Sequence, residues 1–192
     1  MNEQINDIVD RIKALETELE AEVAKAREYF TQRPGAQKIH FDPKLRKEHR
    51  QFKINLLAYA LFPKPQHVLV APFIYALIFP LVMLDLLGSV YHAVGFTLLK
   101  IPKVKRSDYF FYDRHHLAYL NLLEMLNCVY CSYGNGVLAY LTEIVARTEQ
   151  YWCPIKHARR LLASHSRYKN FTAYGDAEAF RRDLDKIRQF KD

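Results

Sequence analysis

Three features of the 192-residue chain predict an all-α fold. Apolar residues recur every three or four positions from Ile5 to Phe30, which indicates an amphipathic helix. A longer stretch, residues 68–99, is apolar except for two ionisable side chains, Asp85 and His92. Only 6 glycines occur in the chain, which argues against a β protein with many turns. We therefore expect membrane-associated helical hairpins preceded by an N-terminal amphipathic helix.

The chain is expected to divide into three regions. Residues 1–33 form the amphipathic N-terminal helix, which Pro34–Gly35 ends. This helix pairs with a second copy, giving a homo-oligomer, or docks on the rest of the chain. Residues 42–160 form a membrane-associated helical core with a Cys/His cluster, and residues 161–192 form a basic tail. Asp176 is placed to cap a short helix in that tail.

The apolar stretch 68–99 has an awkward length for a membrane span. A spanning helix needs about 20 apolar residues, so 32 residues are too many for one upright span and too few for two. Pro72 and Pro80 are expected to kink or break the first half. A hairpin that enters the bilayer and returns, with its bend near Asp85 or Gly88, fits this length. The alternative is a buried hairpin in a soluble helical bundle.

The segment 42–62 is predicted to be an interfacial helix. Asp42 can cap it, and Pro43 suits its first position. Its start is basic and its end is apolar, which is typical of a helix that enters a bilayer from the surface. The alternative is a solvated amphipathic helix. The basic residues of the segment are Lys44, Arg46, Lys47, Arg50 and Lys53.

The charge distribution points to an anionic membrane surface. The net charge is +7, and because residues 1–30 carry −4, the remainder carries +11. Basic residues flank the apolar stretch on both sides, which favours cytoplasmic termini and contact with the anionic inner leaflet. No secretory signal is visible at the start. No nucleic-acid motif is visible, and positive charge alone does not predict a nucleic-acid partner.

A cluster of cysteine and histidine residues predicts a metal or thiol site. All three cysteines and three of the eight histidines lie between Asp113 and His157. Thiolate and imidazole are common ligands of zinc and iron, and a C-x2-C pair followed by C-x3-H matches structural zinc sites. The alternative is a pair of buried, inert cysteines. The candidate zinc or iron ligands are Cys128, Cys131, Cys153, His157, His115 and His116.

Helix geometry leaves the grouping of these ligands open. Residues 117–150 are helical in pattern apart from the turn signal Gly134-Asn135-Gly136. If the helix after that turn is intact, its rise places Cys153 about 20 Å from Cys131, too far for one ion. A hairpin about Asn135 would instead divide the ligands into two groups: Cys153 and His157 with Asp113, His115 and His116, and Cys128 with Cys131.

Two sequence stretches resemble a family of small bacterial membrane proteins. They are IPKVKRSDYFFYDRHHLAYLNLLEMLNCVYCSYGNG, from Ile101, and ARTEQYWCPIKHA, which ends at Ala158. The resemblance covers about residues 60–160. It implies a bacterial inner-membrane protein, but it brings no activity with it, so no catalytic residue carries over.

Three functions fit these observations. The first is a membrane protein that handles a metal or performs thiol redox chemistry at the Cys/His cluster. The second is a membrane enzyme acting on a lipid or quinone, with Asp85, His92, His115 and His116 as candidate bases or iron ligands. The third is a structural or partner-binding helical protein with inert cysteines. No nucleotide-binding glycine loop or nucleophile elbow is visible in the sequence.

Overall fold

The computed structural model confirms the all-α class. Within the described part of the chain there is no strand, and one isolated bridge joins Ile155 to Thr172. The described residues between 11 and 25 are helical, whereas the rest of the predicted N-terminal helix and Asp42 lie outside the described residues. The structure describes residues 11, 14–15, 17–19, 21–23, 25, 43–56, 59, 64–159, 161 and 164–190.

The described helices belong to two compact units. One unit comprises Met1–Phe62 and Asp113–Leu126, and the other comprises Pro63–Tyr112 and Asn127–Asp192. The predicted division at residues 33 and 160 stays a prediction. The α-helices are α1 (Pro43–Arg50), α2 (Pro65–Ala76), α3 (Ile78–Leu98), α4 (Leu122–Trp152) and α5 (Ala177–Ile187), and 3-10 turns lie at Arg106–Asp108, Asp113–His116 and Ser166–Asn170.

Helix α1 begins at Pro43 as predicted, but the prediction of one continuous helix over residues 42–62 is wrong, because α1 ends at Arg50. The chain leaves the helix after Arg50 through three successive i to i−3 hydrogen bonds, the last from Lys53 N–H to the Arg50 carbonyl. Residues 53–55 then have no helical structure. In the same unit, the ring of His49 packs edge-on against Tyr119, with 5.8 Å between the centroids.

Helices α2 and α3 are separated by a break at Leu77. Pro80 has no N–H to donate to the carbonyl of Ala76, so the helical hydrogen-bond pattern is interrupted there. Helix α3 then runs without interruption through Asp85 and Gly88, so the predicted hairpin bend at these residues is wrong. A Cβ at Gly88 would lie 2.1 Å from Leu141 Cδ2. This glycine therefore permits close packing and does not form a turn.

Helix α4 runs without interruption through Gly134 and Gly136, so the predicted hairpin about Asn135 is also wrong. A Cβ at Gly136 would meet the ring of Phe110 at 2.7 Å, so this glycine also serves close packing. Asn135 remains compatible with the helix because its side-chain amide donates to the Cys131 carbonyl at 2.9 Å.

Helix α4 begins at Leu122, directly after the capping residue Asn121 and later than the predicted start at residue 117. The Asn121 side chain accepts from the Glu124 N–H at 3.0 Å, and the Glu124 carboxylate accepts from the Asn121 N–H at 2.8 Å. This reciprocal pair is a capping box, which satisfies two N–H groups at the helix start. The polar pair therefore has a structural role.

Within the second unit, α3 and the C-terminal part of α4 run parallel. The contacts advance together along both helices, from Leu81 beside Gly134 to the hydrogen bond between Tyr91 and Thr148. Because the helices are parallel, the chain after α3 must turn back. Residues 101–112 return beside both helices, and a small core forms where they meet: Phe96, Ile101, Val104, Tyr140 and Ile144.

A Schellman motif makes the turn after α3. Lys100 adopts a left-handed conformation with φ 55°. The N–H of Ile101 bonds to the Phe96 carbonyl at 3.0 Å, and the N–H of Lys100 points to the Thr97 carbonyl at 3.4 Å. The accompanying contact between Ile101 and Phe96 is part of the buried core.

The C-terminal helix docks on the end of α4. Asp176 caps α5 by accepting from the Ala179 N–H at 2.9 Å, which confirms the predicted cap. The Gln150 side chain donates to the Ile187 carbonyl at the other end of α5, at 2.8 Å. Arg188 donates to the Tyr151 carbonyl at the same distance, 2.8 Å.

Candidate functional site

The continuous helix α4 separates the predicted metal ligands. Cys128 and Cys131 lie one turn apart on it, and Cys153 directly follows its C-terminus. The 22 residues from Cys131 to Cys153 span about 33 Å at helical rise, whereas zinc ligands lie about 2.3 Å from the ion. Cys128, Cys131, Cys153 and His157 therefore do not form one site within a chain.

The divided arrangement depended on the hairpin about Asn135, which is absent from α4. Among the described residues, no group of three or more His, Cys, Asp or Glu side chains could hold a metal ion. The three cysteines are free thiols, and those of Cys131 and Cys153 are exposed. Zinc or iron binding stays a prediction without a ligand set that the geometry supports.

His157, His115 and His116 each lie among cations. His157 lines a cavity of about 490 Å³ together with Lys156 and Arg159, and its backbone N–H donates to the Tyr168 hydroxyl at 2.6 Å. The His115 and His116 rings lie 3.8 Å apart, in a cavity with two arginines and a lysine. Nearby positive charges oppose the binding of a divalent cation.

A polar cluster that sequence reasoning missed joins α3, α4 and the return segment. Arg106 Nη1 and Nη2 donate to the two carboxylate oxygens of Asp85 at 2.5 and 2.7 Å. Tyr133 donates to the same carboxylate at 2.9 Å. The Arg106 guanidinium also lies over the Phe110 ring, 3.9 Å from its centroid. Asp85 is thus engaged by a cation and a hydroxyl.

His92 occupies the same face of α3 and is held in one tautomer. The backbone N–H of Val104 donates to its Nε2 at 2.9 Å, so Nε2 carries no proton. The ring is therefore neutral with its proton on Nδ1, which lies 3.1 Å from the Tyr140 hydroxyl oxygen. Both nitrogens of this buried ring are used in tertiary hydrogen bonds.

A second polar network lies on α4 around Glu143. Its Oε1 accepts from Arg147 at 2.7 Å and from Arg167 at 2.9 Å. Burial raises the pKa of Glu143, but the hydrogen bonds and positive charges of the two arginines lower it by more than burial raises it. The pKa of Glu143 therefore lies below the usual value of 4.5. Arg147 also donates to the Pro102 carbonyl at 2.7 Å, which ties the return segment to α4.

The sequence contains a signal for only part of these networks. Glu143 and Arg147 are four residues apart, the spacing of a helical ion pair. Asp85 and Arg106 are separated by 21 residues and Asp85 and Tyr133 by 48, so no local pattern links them.

The polarity of α3 is the reverse of that of a water-exposed helix. Three polar residues of α3, Asp85, Ser89 and His92, lie on the face that contacts the rest of the protein, since each is at least partly buried. Helices of soluble proteins instead direct polar residues outward. Thr97, near the end of the helix, is exposed, and its hydroxyl donates to the Ala93 carbonyl. Many outward residues of α2 and α3 are large and apolar, and several of them are more than 60% exposed, including Leu69, Phe73, Phe79, Met83, Leu86 and Leu98.

Together α2 and α3 form one helical stretch, Pro65–Leu98, that is long and apolar enough to span a membrane. The 18-residue window that meets this criterion is 0% buried within the protein. By length and composition this is weak evidence of membrane association, to which the reversed polarity of α3 adds a second observation.

Comparison with protein-family models, with curated proteins and with solved structures finds no match to the chain. The resemblance to small bacterial membrane proteins stays a prediction.

Proposed function

We propose that the chain is a membrane-inserted helical protein with cysteines that take no part in catalysis. One observation carries this proposal: α2 and α3 expose large apolar side chains outward, whereas the two ionisable side chains of α3, Asp85 and His92, face the protein. In water this surface would be an aggregation liability, whereas in lipid it is the favoured arrangement.

The first half of the stretch is the better candidate for insertion. Val68–Leu84 contains 17 residues without a charge, which is about 26 Å of helix against a hydrocarbon core of about 30 Å. The second half has exposed cations beside it, because the return segment carries Lys103 and Lys105. Insertion of Val68–Leu84 places the Asp85–Arg106 pair at the boundary and directs the lysines toward headgroups.

The two catalytic alternatives have less support. A lipid or quinone enzyme would use a base or an iron ligand from Asp85, His92, His115 and His116, and the first two already have hydrogen-bond partners. In the described residues the Asp85 carboxylate is engaged by Arg106 and Tyr133, and both His92 nitrogens are bonded. A metal centre that uses all three cysteines would need them to converge, and α4 holds Cys131 and Cys153 far apart. Cys128 and Cys131 lie one turn apart as free thiols, but among the described residues no third ligand completes a metal site with them.

Two native cysteines serve as depth probes for this proposal. Cys131 lies between Tyr130, which bonds to the Ile74 carbonyl, and Gly134, which packs on Leu81, so it is level with the proposed inserted half. Cys153 lies beyond the C-terminus of α4. Both are exposed within the protein, so any difference in labelling reports on lipid.

The experiment uses the variants C128S/C153S, which keeps Cys131, and C128S/C131S, which keeps Cys153. In membranes opened to reagent on both sides, a charged maleimide should modify Cys153 and leave Cys131 unmodified. After denaturation in SDS both should react equally. Equal modification of the two in membranes, or release of the protein by carbonate without detergent, would overturn the proposal.

A further inference from the structure

The polar side chains that line a cavity in the first unit are all basic among the described residues. The cavity has a volume of about 130 Å³ and lies between α1 and the turn Asp113–His116. Among the described residues that line it there is no carboxylate, and the other lining residues are apolar: Leu117, Ala118, Leu120 and Met125. The polar lining residues are Arg46, Arg50, Lys53, His115 and His116.

This arrangement of charge suits an anion. Arg46 and Arg50 are four residues apart on α1, so they lie on one helix face, where like charges destabilise a helix. A bound anion removes that repulsion, whereas a metal ion would increase it. Guanidinium groups present paired N–H donors that match the oxygens of a phosphate, and imidazole and ammonium groups add further donors.

The size of the cavity limits the ligand to a small group. Sites for complete small molecules have volumes of about 300–1,000 Å³, so a cavity of about 130 Å³ fits a phosphate group and not an entire cofactor. A chain or backbone that is attached to the phosphate group can extend out of the cavity along its apolar walls.

We propose that this cavity binds the phosphate group of a phosphate-bearing ligand, with Arg46 and Arg50 as the principal donors. That chemistry has two sources, an anionic lipid headgroup and a soluble phosphate ester. The proposal does not depend on insertion of Val68–Leu84, since every residue that it uses belongs to the first unit.

The test uses the full chain in non-ionic detergent and isothermal titration calorimetry. The probes are pyrophosphate and short-chain phosphatidylglycerol. Short-chain phosphatidylcholine is the zwitterionic comparison, because its choline cation offsets the charge of its phosphate. R46Q/R50Q removes the proposed donors. K44Q/K47Q is the matched control, because it removes the same charge from the same helix at positions outside the cavity lining.

At least one anionic probe should bind. R46Q/R50Q should lower the affinity for that probe by about tenfold or more, because two charge-assisted hydrogen-bond donors are lost. K44Q/K47Q should change the affinity by less than about twofold, as expected for screened surface charge. Binding of pyrophosphate alone identifies a soluble ligand, and binding of phosphatidylglycerol alone identifies a headgroup.

If both double variants lower the affinity equally, binding depends on diffuse positive charge and not on this cavity, and the proposal is overturned. A failure of both anionic probes to bind would also overturn it. If R46Q/R50Q does not fold by circular dichroism, R50Q against K47Q makes the same comparison with one charge each. The maleimide experiment uses none of these residues, so failure here is distinguishable from failure of membrane insertion.

Discussion

The Asp85–Arg106 pair should be asymmetric in its response to mutation. The Asp85 side chain is 13% exposed and that of Arg106 is 43% exposed. Replacing the arginine leaves a largely buried carboxylate without its cation. Replacing the aspartate leaves a guanidinium that water can reach. We therefore expect R106Q to destabilise the protein more than D85N, although each removes one member of the same pair.

The magnitude follows from the partners that remain. Breaking a buried ion pair from one side costs about 3–5 kcal/mol. After R106Q, the Asp85 carboxylate keeps Tyr133 at 2.9 Å and Ser89 at 3.4 Å, so the lower end, about 3 kcal/mol, is expected. D85N should cost about 1 kcal/mol, as for exposed pairs. At about 2–4 °C per kcal/mol, the Tm should fall by about 6–12 °C and about 2–4 °C, respectively.

Thermal unfolding in detergent, followed by circular dichroism, measures these effects. The double variant D85N/R106Q completes the cycle. It should be more stable than R106Q alone, because the amide at position 85 no longer needs a cation. Equal effects of the two single variants, with an additive double variant, would show that the pair contributes nothing specific and refute the reasoning.

Three further changes test other parts of the fold by the same assay. K100G should stabilise the protein by about 0.5–1 kcal/mol, because glycine adopts the left-handed conformation at φ 55° without strain, and a loss of stability would contradict the Schellman assignment. N121A should cost about 1 kcal/mol and N121S less, because serine keeps the cap acceptor, whereas equal losses would argue against the capping box. The lowered pKa of Glu143 adds stability above its unfolded value near 4.5 that is lost as pH falls through its folded pKa, so the difference between wild type and E143Q should shrink below about pH 4.5, and a constant difference from pH 7 to pH 3 would contradict the paired geometry.

Local signals in the sequence predicted several features correctly. The all-α class followed from helical spacing and scarce glycine. Pro43 marked the start of α1, since its fixed φ suits a first helical position. Asp176 marked the cap of α5, since its side chain reaches an N–H three residues on. Each depends on groups within one helical turn, which a sequence displays directly.

The glycines misled the sequence analysis for a physical reason. Gly88 and the pair Gly134 and Gly136 were interpreted as bends, because glycine weakens a helix by about 1 kcal/mol. In the structure the side chains of Leu141 and Phe110 occupy the space that a Cβ would need at Gly88 and Gly136. The choice between turn and close approach depends on tertiary partners, which the sequence does not show. Both hairpins failed for this reason.

Sequence patterns likewise could not predict the candidate site. Cysteine and histidine spacing suggested a metal centre, but spacing predicts proximity only when the intervening chain folds back, and α4 does not. His115 and His116 were grouped with Cys153, whereas they share a cavity with Arg46 and Arg50, more than 60 residues earlier in the chain. That neighbourhood changes the expected ligand from a cation to an anion.

The position of Asp85 connects stability with membrane insertion while keeping the two separable. The pair with Arg106 holds the return segment beside α3 at the end of the uncharged stretch Val68–Leu84. Insertion depends on the apolar surface of that stretch, which R106Q does not alter. R106Q should therefore lower the Tm while the protein remains in the membrane after carbonate washing and Cys131 remains protected from maleimide. Release of R106Q by carbonate would instead show that the pair contributes to insertion, and the boundary assigned to Asp85 would then be wrong.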